Sequence, residues 1–172
     1  MIPVIVLGAQ SPVYASSDLV PVVRLKPDTP AFTQTSGIDE PGQFVVRDAD
    51  GWAAVWQRIH GRSRPIPPAP AIDFDREMVV VVALGRQQSG GYTIRVERAY
   101  LEGSTTVIIV REESPGEGCI VTDAITSPVD IATLPLSPEP VEFRFESGSR
   151  QCNQLSNFVR PGGNLQEGYR RS

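Results

Sequence analysis

The sequence is poor in the residues on which several common functions depend. Of its 172 residues, one is histidine, two are cysteine and two are tryptophan, and aromatic residues make up only 7%. No apolar run approaches the roughly 20 residues of a membrane-spanning helix, so no transmembrane segment is predicted. Acidic residues outnumber basic ones, and the formal net charge is -4. The chain therefore lacks the positive field that attracts a phosphate backbone, which argues against nucleic acid as a partner.

Catalytic and metal-binding chemistry has few candidate side chains. His60 directly precedes Gly61 at the end of a predicted helix, where a partly charged imidazole stabilises the exposed carbonyl groups. We interpret it as a capping residue and not as a catalytic base. Asp73, Asp75 and Glu77 alternate along an extended segment as calcium ligands can, but no further ligand follows at the required spacing. We predict a solvated strand entry there, in which aspartate supplies turn hydrogen bonds, and no catalytic residue, metal or cofactor in the chain.

The two cysteines, Cys119 and Cys152, are too far apart in sequence for a metal knuckle or a redox Cys-x-x-Cys pair. Two interpretations remain, a disulfide and a pair of buried thiols. A disulfide would close a loop of about 34 residues and stabilise the fold by roughly 3.5 to 4 kcal/mol in the chain-entropy model. It would also require an oxidising compartment.

The first residues, MIPVIVLGAQSPVYASS, contain an apolar run from Ile2 to Ala9, followed by Val13 and Ala15 at the positions of a cleavage site. A basic start is missing, so the pattern fits either a truncated secretory signal over residues 1–15 or a first β-strand. The signal would agree with a disulfide, because both imply export. We therefore expect a secreted or periplasmic protein.

One helix is predicted, in DADGWAAVWQRIHG. Asp48 or Asp50 can cap its start, Gly61 can end it, and apolar side chains at positions 52, 55, 56 and 59 fall on one face. Before the helix, residues 16–43 contain an early strand, LVPVVRL, and a turn-rich loop over 27–43. After it, the proline-rich RPIPPAPAIDF predicts a stiff connector without regular structure.

The rest of the pattern is β. EMVVVVALG is an apolar run typical of a strand covered on both faces, and YTIRVERAYLEG and STTVIIVREES alternate around a turn at Gly103 and Ser104. SPVDIATLP and PVEFRFES add two short strands, and a weakly ordered tail is predicted over 147–172. Because no βαβ unit is present, we predict a mainly β fold, an antiparallel β-sandwich or partly open barrel with one short packed helix.

The polar loop GRQQSGGY connects two of these strands. It lacks the lysine and the following helix of a phosphate-binding loop, and Ser89 does not stand in a G-x-S-x-G elbow. Gly90 and Gly91 permit positive φ or the close approach of another chain, and Tyr92 adds a ring with a polar end. A structural turn and a partner-binding loop formed by Gln88, Ser89, Gly90, Gly91 and Tyr92 both fit this pattern.

Three segments carry a longer pattern: the helix with its Trp-x-x-x-Trp pair, IDFDREMVVVVALGRQQSGGYTIRVERA, and VREESPGEGCIVTDAITSPVDIATLP with its Pro-Gly turn and Thr-Ser-Pro sequence. In this order and spacing they resemble the C-terminal domain of PrcB-like, protease complex-associated proteins, over residues 44–146. The resemblance implies non-catalytic family-pattern positions at Trp52, Trp56, Asp73, Phe74, Gly90, Gly91, Tyr92, Thr126, Ser127 and Pro128.

The same resemblance implies an exported, non-enzymatic β domain that associates with a secreted subtilisin-like protease and supports the stability of that complex. The Gly-Gly-Tyr loop and a neighbouring strand edge would contact the partner. Two other functions remain open: a protease inhibitor that inserts this loop into an active-site cleft, and a carbohydrate-binding β-sandwich. The low aromatic content disfavours the last.

Overall fold

Eight strands and one helix lie in the part of the chain that the computed structural model describes, residues 18–25, 34–138 and 140–152. The predicted signal segment at 1–15 and the greater part of the predicted tail lie outside these residues. In chain order the elements are β1 (Leu19–Val20), β2 (Val23–Arg24), β3 (Gly42–Val46), α1 (Ala49–Ile59), β4 (Glu77–Ala83), β5 (Thr93–Glu102), β6 (Thr105–Pro115), β7 (Val129–Pro135) and β8 (Val141–Arg150).

The strands form two four-stranded sheets that pack as a sandwich. The first sheet has the order β1-β5-β6-β8 and the second β2-β7-β4-β3. Neighbouring strands are antiparallel, except that β6 and β8 run parallel. Parallel strands need a long crossover connection, and β7 provides it by lying in the second sheet. The predicted mainly β sandwich with one helix is confirmed, and the described strands do not close into a barrel.

Strand β4 lies at the centre of the fold because both of its faces are buried. Met78, Val80 and Val82 pack in the core between the two sheets, whereas Val79 and Val81 pack on the opposite face. None of the five side chains is exposed to solvent. Such burial is what the continuous apolar run predicts.

Helix α1 covers the outer face of the second sheet. Asp48 caps its start, because the carboxylate Oδ1 accepts a hydrogen bond of 2.7 Å from the Gly51 N–H. The predicted apolar face is buried against the sheet and consists of Trp52, Val55, Trp56 and Ile59. The molecule therefore has three layers, which are the helix, the second sheet and the first sheet.

The two tryptophans of α1 also hold the proline-rich connector in place. The indole N–H of Trp52 donates to the carbonyl oxygen of Pro70 at 3.0 Å, and that of Trp56 donates to Pro67 at 2.8 Å. Their ring centroids are 5.1 Å apart. Because prolines offer carbonyl acceptors but no N–H donors, the connector is attached to the helix without joining a sheet.

The segment LVPVVRL, which we predicted as one strand, is divided between the two sheets. Its first part, β1, pairs with β5, and its second part, β2, pairs with β7. Pro21 lies between the two parts and lacks the N–H that would continue a ladder. The chain crosses from one sheet to the other at this proline, which closes a corner of the sandwich.

Two further predictions are wrong in detail. Residues 73–76 form a turn and are not extended, because the Asp73 carbonyl accepts hydrogen bonds from the N–H groups of Arg76 and of Glu77, the first residue of β4. Their role as a turn agrees with the prediction. Strand β8 continues to Arg150, inside the range predicted as a tail, because its pairing with β6 extends as far as Pro115.

His60 occupies the C-cap position of α1, but it is buried there. Its ring centroid lies 4.3 Å from that of Trp56. This burial lowers the pKa of the imidazole, because desolvation disfavours the charged ring. The predicted partly charged imidazole is therefore wrong, and the folded protein favours the neutral form.

Trp56→Ala is expected to lower the free energy of unfolding by about 3 to 5 kcal/mol, because it removes a large buried ring. Chemical denaturation followed by circular dichroism measures the loss. Leu101→Ala is the control, because this side chain is 44% exposed. Its truncation should change the free energy by less than about 0.5 kcal/mol. Equal losses in the two variants would contradict the place of Trp56 in the core.

The free energy of unfolding is expected to fall as the pH drops below 6.5, the ordinary pKa of histidine. The unfolded chain then binds a proton at His60 while the folded chain, with its lowered pKa, does not, so acid favours unfolding. The loss continues down to the folded pKa and stops below it. Denaturation between about pH 7.5 and 5.5 should show a smaller slope for His60→Gln than for the wild type. Identical slopes would show that another group titrates.

Candidate protein-binding site

The Gly-Gly-Tyr turn after β4 packs directly on the long loop between β6 and β7. The Gly90 N–H donates a hydrogen bond of 2.9 Å to the carbonyl oxygen of Thr122. A Cβ atom on Gly90 would overlap Thr122 Oγ1, and one on Gly91 would lie 2.6 Å from Val121 Cγ1. Gly91 also has a φ of +88°, a conformation that favours glycine. Both glycines are thus explained by contact between two loops of this chain.

The Thr-Ser-Pro segment holds the same turn from its other side. Gln87 and Thr126 exchange two backbone hydrogen bonds of 2.8 and 3.1 Å. The Thr126 hydroxyl donates to the Ser89 carbonyl oxygen at 2.8 Å, and the Pro128 carbonyl accepts from the Leu84 N–H at 3.0 Å. Two segments that the sequence singled out separately are therefore neighbours in space.

Ser127 lies beneath this contact and is completely buried. Its carbonyl oxygen accepts from the Ser36 hydroxyl at 2.8 Å, and its own hydroxyl donates to Asp39 Oδ1 at 3.3 Å. The same hydroxyl accepts from Arg62 at 3.4 Å. Ser127 therefore joins the loops on either side of α1 to the start of β7, and its hydroxyl is not placed as a nucleophile.

A disulfide anchors the loop between β6 and β7, which we call the disulfide loop (residues 116–128). Cys119 and Cys152 are bonded with a Cα–Cα distance of 5.0 Å, so the predicted disulfide is confirmed. The Gly116 N–H donates to the carbonyl oxygen of Arg150 at 3.1 Å. The loop is therefore attached both to the end of β8 and to the Gly-Gly-Tyr turn, and these attachments limit its conformational freedom.

Aliphatic side chains on the disulfide loop face solvent. Ile120 is fully exposed, Ile125 is 48% exposed, and Val121 between them is partly exposed. Exposed apolar side chains on a well-anchored loop are typical of protein-binding surfaces. These residues were not among the predicted binding positions, which all lie in the Gly-Gly-Tyr loop. The available signal was the apolar pair that directly follows Cys119 in a segment bounded by turn residues.

A groove of about 170 Å³ lies beside the Gly-Gly-Tyr turn. It is smaller than the roughly 300 to 1,000 Å³ of pockets that hold small molecules, so it suits a single side chain of a partner. Tyr92 forms part of the wall and is half-buried. The lining residues are Leu84, Gln87, Tyr92, Glu112, Glu113, Ser114, Ser147 and Gly148.

The five positions predicted to bind a partner differ in their exposure to solvent. Gln88 is exposed, Ser89, Gly91 and Tyr92 are half-buried, and Gly90 is buried under the disulfide loop. Contact of Gln88 and Tyr92 with a partner stays a prediction.

Side chains from the second sheet occupy the edge of β5 at Val96. Strand β1 covers β5 only at its far end, but the Val96 N–H donates to Asp130 Oδ2 at 2.8 Å and the Val96 carbonyl accepts from Arg24. Burial raises the pKa of the Asp130 carboxyl, although the Val96 N–H and Arg24 oppose that shift. Asp130 and Arg24 of the second sheet thus occupy the N–H and the carbonyl oxygen of Val96. A partner strand, which we predicted to pair with a neighbouring edge, cannot form hydrogen bonds with β5 at this residue.

The remaining predicted positions belong to the helix side of the molecule. Trp52 and Trp56 are buried in α1, and Phe74 packs against the same cluster from the turn at Asp73. Within the described residues, no group of three or more histidine, cysteine or acidic side chains is arranged to hold a metal ion. The helix found there is too short to span a membrane.

Residues 78–135, about a third of the chain, match the model of the family described as PrcB C-terminal. The matched range runs from β4 to β7 and includes the Gly-Gly-Tyr turn and the whole disulfide loop. Trp52, Trp56, Asp73 and Phe74 lie outside it, so their assignment to the family pattern stays a prediction. No curated protein and no solved structure was found to match the chain.

Gly90→Ala is expected to destabilise the fold by about 1 to 3 kcal/mol, because the new methyl group overlaps Thr122. Thermal and chemical denaturation measure the change. Gly148→Ala is the matched control, since no atom lies within 4 Å of a Cβ placed there.

Thr122→Ala removes the overlapping hydroxyl, so it should recover part of the stability that Gly90→Ala loses. The four proteins form a double-mutant cycle whose coupling energy should exceed about 0.5 kcal/mol. Additive effects would show that the two loops are not in the contact described.

Proposed function

We propose that this protein, which carries a PrcB C-terminal-like domain, is a non-enzymatic exported module that associates with a secreted subtilisin-like protease and stabilises the complex. The observation that carries the proposal is the disulfide loop, with Ile120 fully exposed on a segment anchored at both ends. The family match covers this loop and the turn beneath it, which supports a shared binding role for both.

The shape of the site supports a protein partner. Ile120, Val121 and Ile125 offer apolar contact area, and burying an exposed aliphatic side chain contributes roughly 1.5 to 3 kcal/mol. The groove beside Tyr92 can receive one side chain of the partner. Because disulfide and backbone hydrogen bonds already order the loop, binding costs little further entropy.

Export is supported by the disulfide. Both cysteines of the sequence are paired, and such bonds persist in oxidising compartments. The Cys152 side of the bond is exposed, so a reducing cytosol would have access to it. We therefore place the module outside the cell or in the periplasm as part of the proposal.

Protease inhibition is the second candidate function, and one observation favours it. A fully exposed aliphatic side chain on a loop closed by a disulfide can enter an active-site cleft. Carbohydrate binding has no comparable support, because both tryptophans are buried and their N–H groups bond to proline carbonyls.

Ile120→Ser is expected to reduce capture of the partner protease at least about tenfold, because it removes the most exposed apolar contact. The immobilised full-length chain is incubated with the secreted fraction of its native organism, and bound material is assayed for protease mass and activity. Tyr92→Ala should also weaken capture. Leu136→Ser is the control, since this leucine is 38% exposed and lies outside the site.

The activity of the captured enzyme separates the two functions. Activity that survives longer in the complex than alone indicates a stabilising subunit, and stoichiometric loss of activity indicates an inhibitor. Failure to recover a protease, or equal capture by Ile120→Ser and Leu136→Ser, would contradict the proposed site.

A further inference from the structure

A cavity rich in arginine lies on the outer face of the first sheet. Its volume is about 350 Å³, within the range of pockets that hold small molecules. Four arginines and two glutamates line it, together with Thr93, so its local charge is positive although the chain as a whole is acidic. We call it the arginine cavity; its charged residues are Arg24, Arg95, Arg111, Arg150, Glu97 and Glu113.

Two of these arginines stand directly opposite each other. Arg95 on β5 is the cross-strand partner of Arg111 on β6. Like charges at directly opposed positions of a sheet repel each other and destabilise the pair. Arg111 is compensated by Glu97 at 3.1 Å and Glu146 at 3.0 Å. Arg95 is exposed and forms no ion pair with any side chain in the described part of the chain, so one positive charge lacks a counterion.

Two other guanidinium groups at the cavity, those of Arg24 and Arg150, lie near acceptor oxygens of this chain. Arg24 is bonded to Asp130 at 3.2 Å and to the carbonyl oxygen of Val96. Arg150 lies 4.0 Å from Glu113, at the limit of an ion pair. The cavity thus places the ion-paired Arg24 and Arg111 beside Arg95, which forms no ion pair with a described side chain. A planar guanidinium forms paired hydrogen bonds with the two oxygens of a carboxylate or phosphate.

We propose that the arginine cavity binds an anion whose charge is carried by carboxylate or phosphate oxygens, with Arg95 in direct contact and Arg111 beside it. The ligand supplies a counterion to Arg95, which forms no ion pair with a described side chain, whereas Arg111 is already paired with Glu97 and Glu146. Glu113 weakens the binding, because its negative charge lies in the cavity wall. This site shares Glu113 with the groove beside Tyr92 that is proposed for the protease contact, but its other lining residues lie outside that groove and it requires no protein partner.

The test titrates the full chain with inorganic phosphate and, separately, with citrate, at constant ionic strength adjusted with sodium chloride. Arginine Nε–Hε signals in nuclear magnetic resonance spectra report on each guanidinium. Saturable shifts of the Arg95 and Arg111 signals are expected with at least one of the two anions. The anion that binds more tightly identifies the source of the oxygens as carboxylate or phosphate.

Arg95→Gln is expected to weaken this binding at least about tenfold, as the loss of a charged hydrogen-bond donor does. Arg76→Gln removes the same charge from an exposed arginine outside the cavity and should leave the affinity unchanged. Glu113→Gln removes a negative charge from the cavity wall and should strengthen anion binding. This variant tests the proposal independently if Arg95→Gln does not fold. Shifts that do not saturate, an affinity unaffected by Arg95→Gln, or an affinity unaffected or weakened by Glu113→Gln would overturn the proposal.

Discussion

Strand β4 has to be covered on both faces, and the rest of the structure depends on that requirement. Its side chains from Met78 to Val82 are fully buried, and exposure of each would cost about 1.5 to 3 kcal/mol. The first sheet covers one face and α1 covers the other. Because the helix occupies the outer face of the second sheet, Trp52 and Trp56 become core residues and tie down the proline-rich connector.

The candidate site follows from the pairing of β4 with β7. Ala83 at the end of β4 lies opposite Val129 at the start of β7, so the turn that leaves one strand meets the loop that enters the other. Gly90 then permits the close approach of Thr122. The disulfide connects this pair of loops to the end of β8 in the first sheet. Because elements of both sheets anchor this loop, Ile120 is exposed to solvent on a segment whose backbone is held in place.

The outer face of the first sheet carries a network of charged side chains. Arg98 and Arg111 both pair with Glu97 and Glu146, and this network spreads across the outer face of the sheet. Since Arg95 forms no ion pair with any described side chain, we propose that an anion binds on this face. The two proposed binding surfaces therefore lie at the disulfide loop and at the arginine cavity.

The sequence by itself determined the local elements, because periods of 2 and 3.6 residues report which side chains must be buried. That reasoning predicted α1, the doubly covered β4 and the sandwich, and the presence of two cysteines favoured the disulfide. Only the tertiary structure decided which segments became neighbours. It divided the first strand at Pro21, set β8 parallel to β6, left Ile120 exposed and placed Arg95 opposite Arg111. These outcomes depend on contacts between residues far apart in the chain, about which local periodicity carries no information.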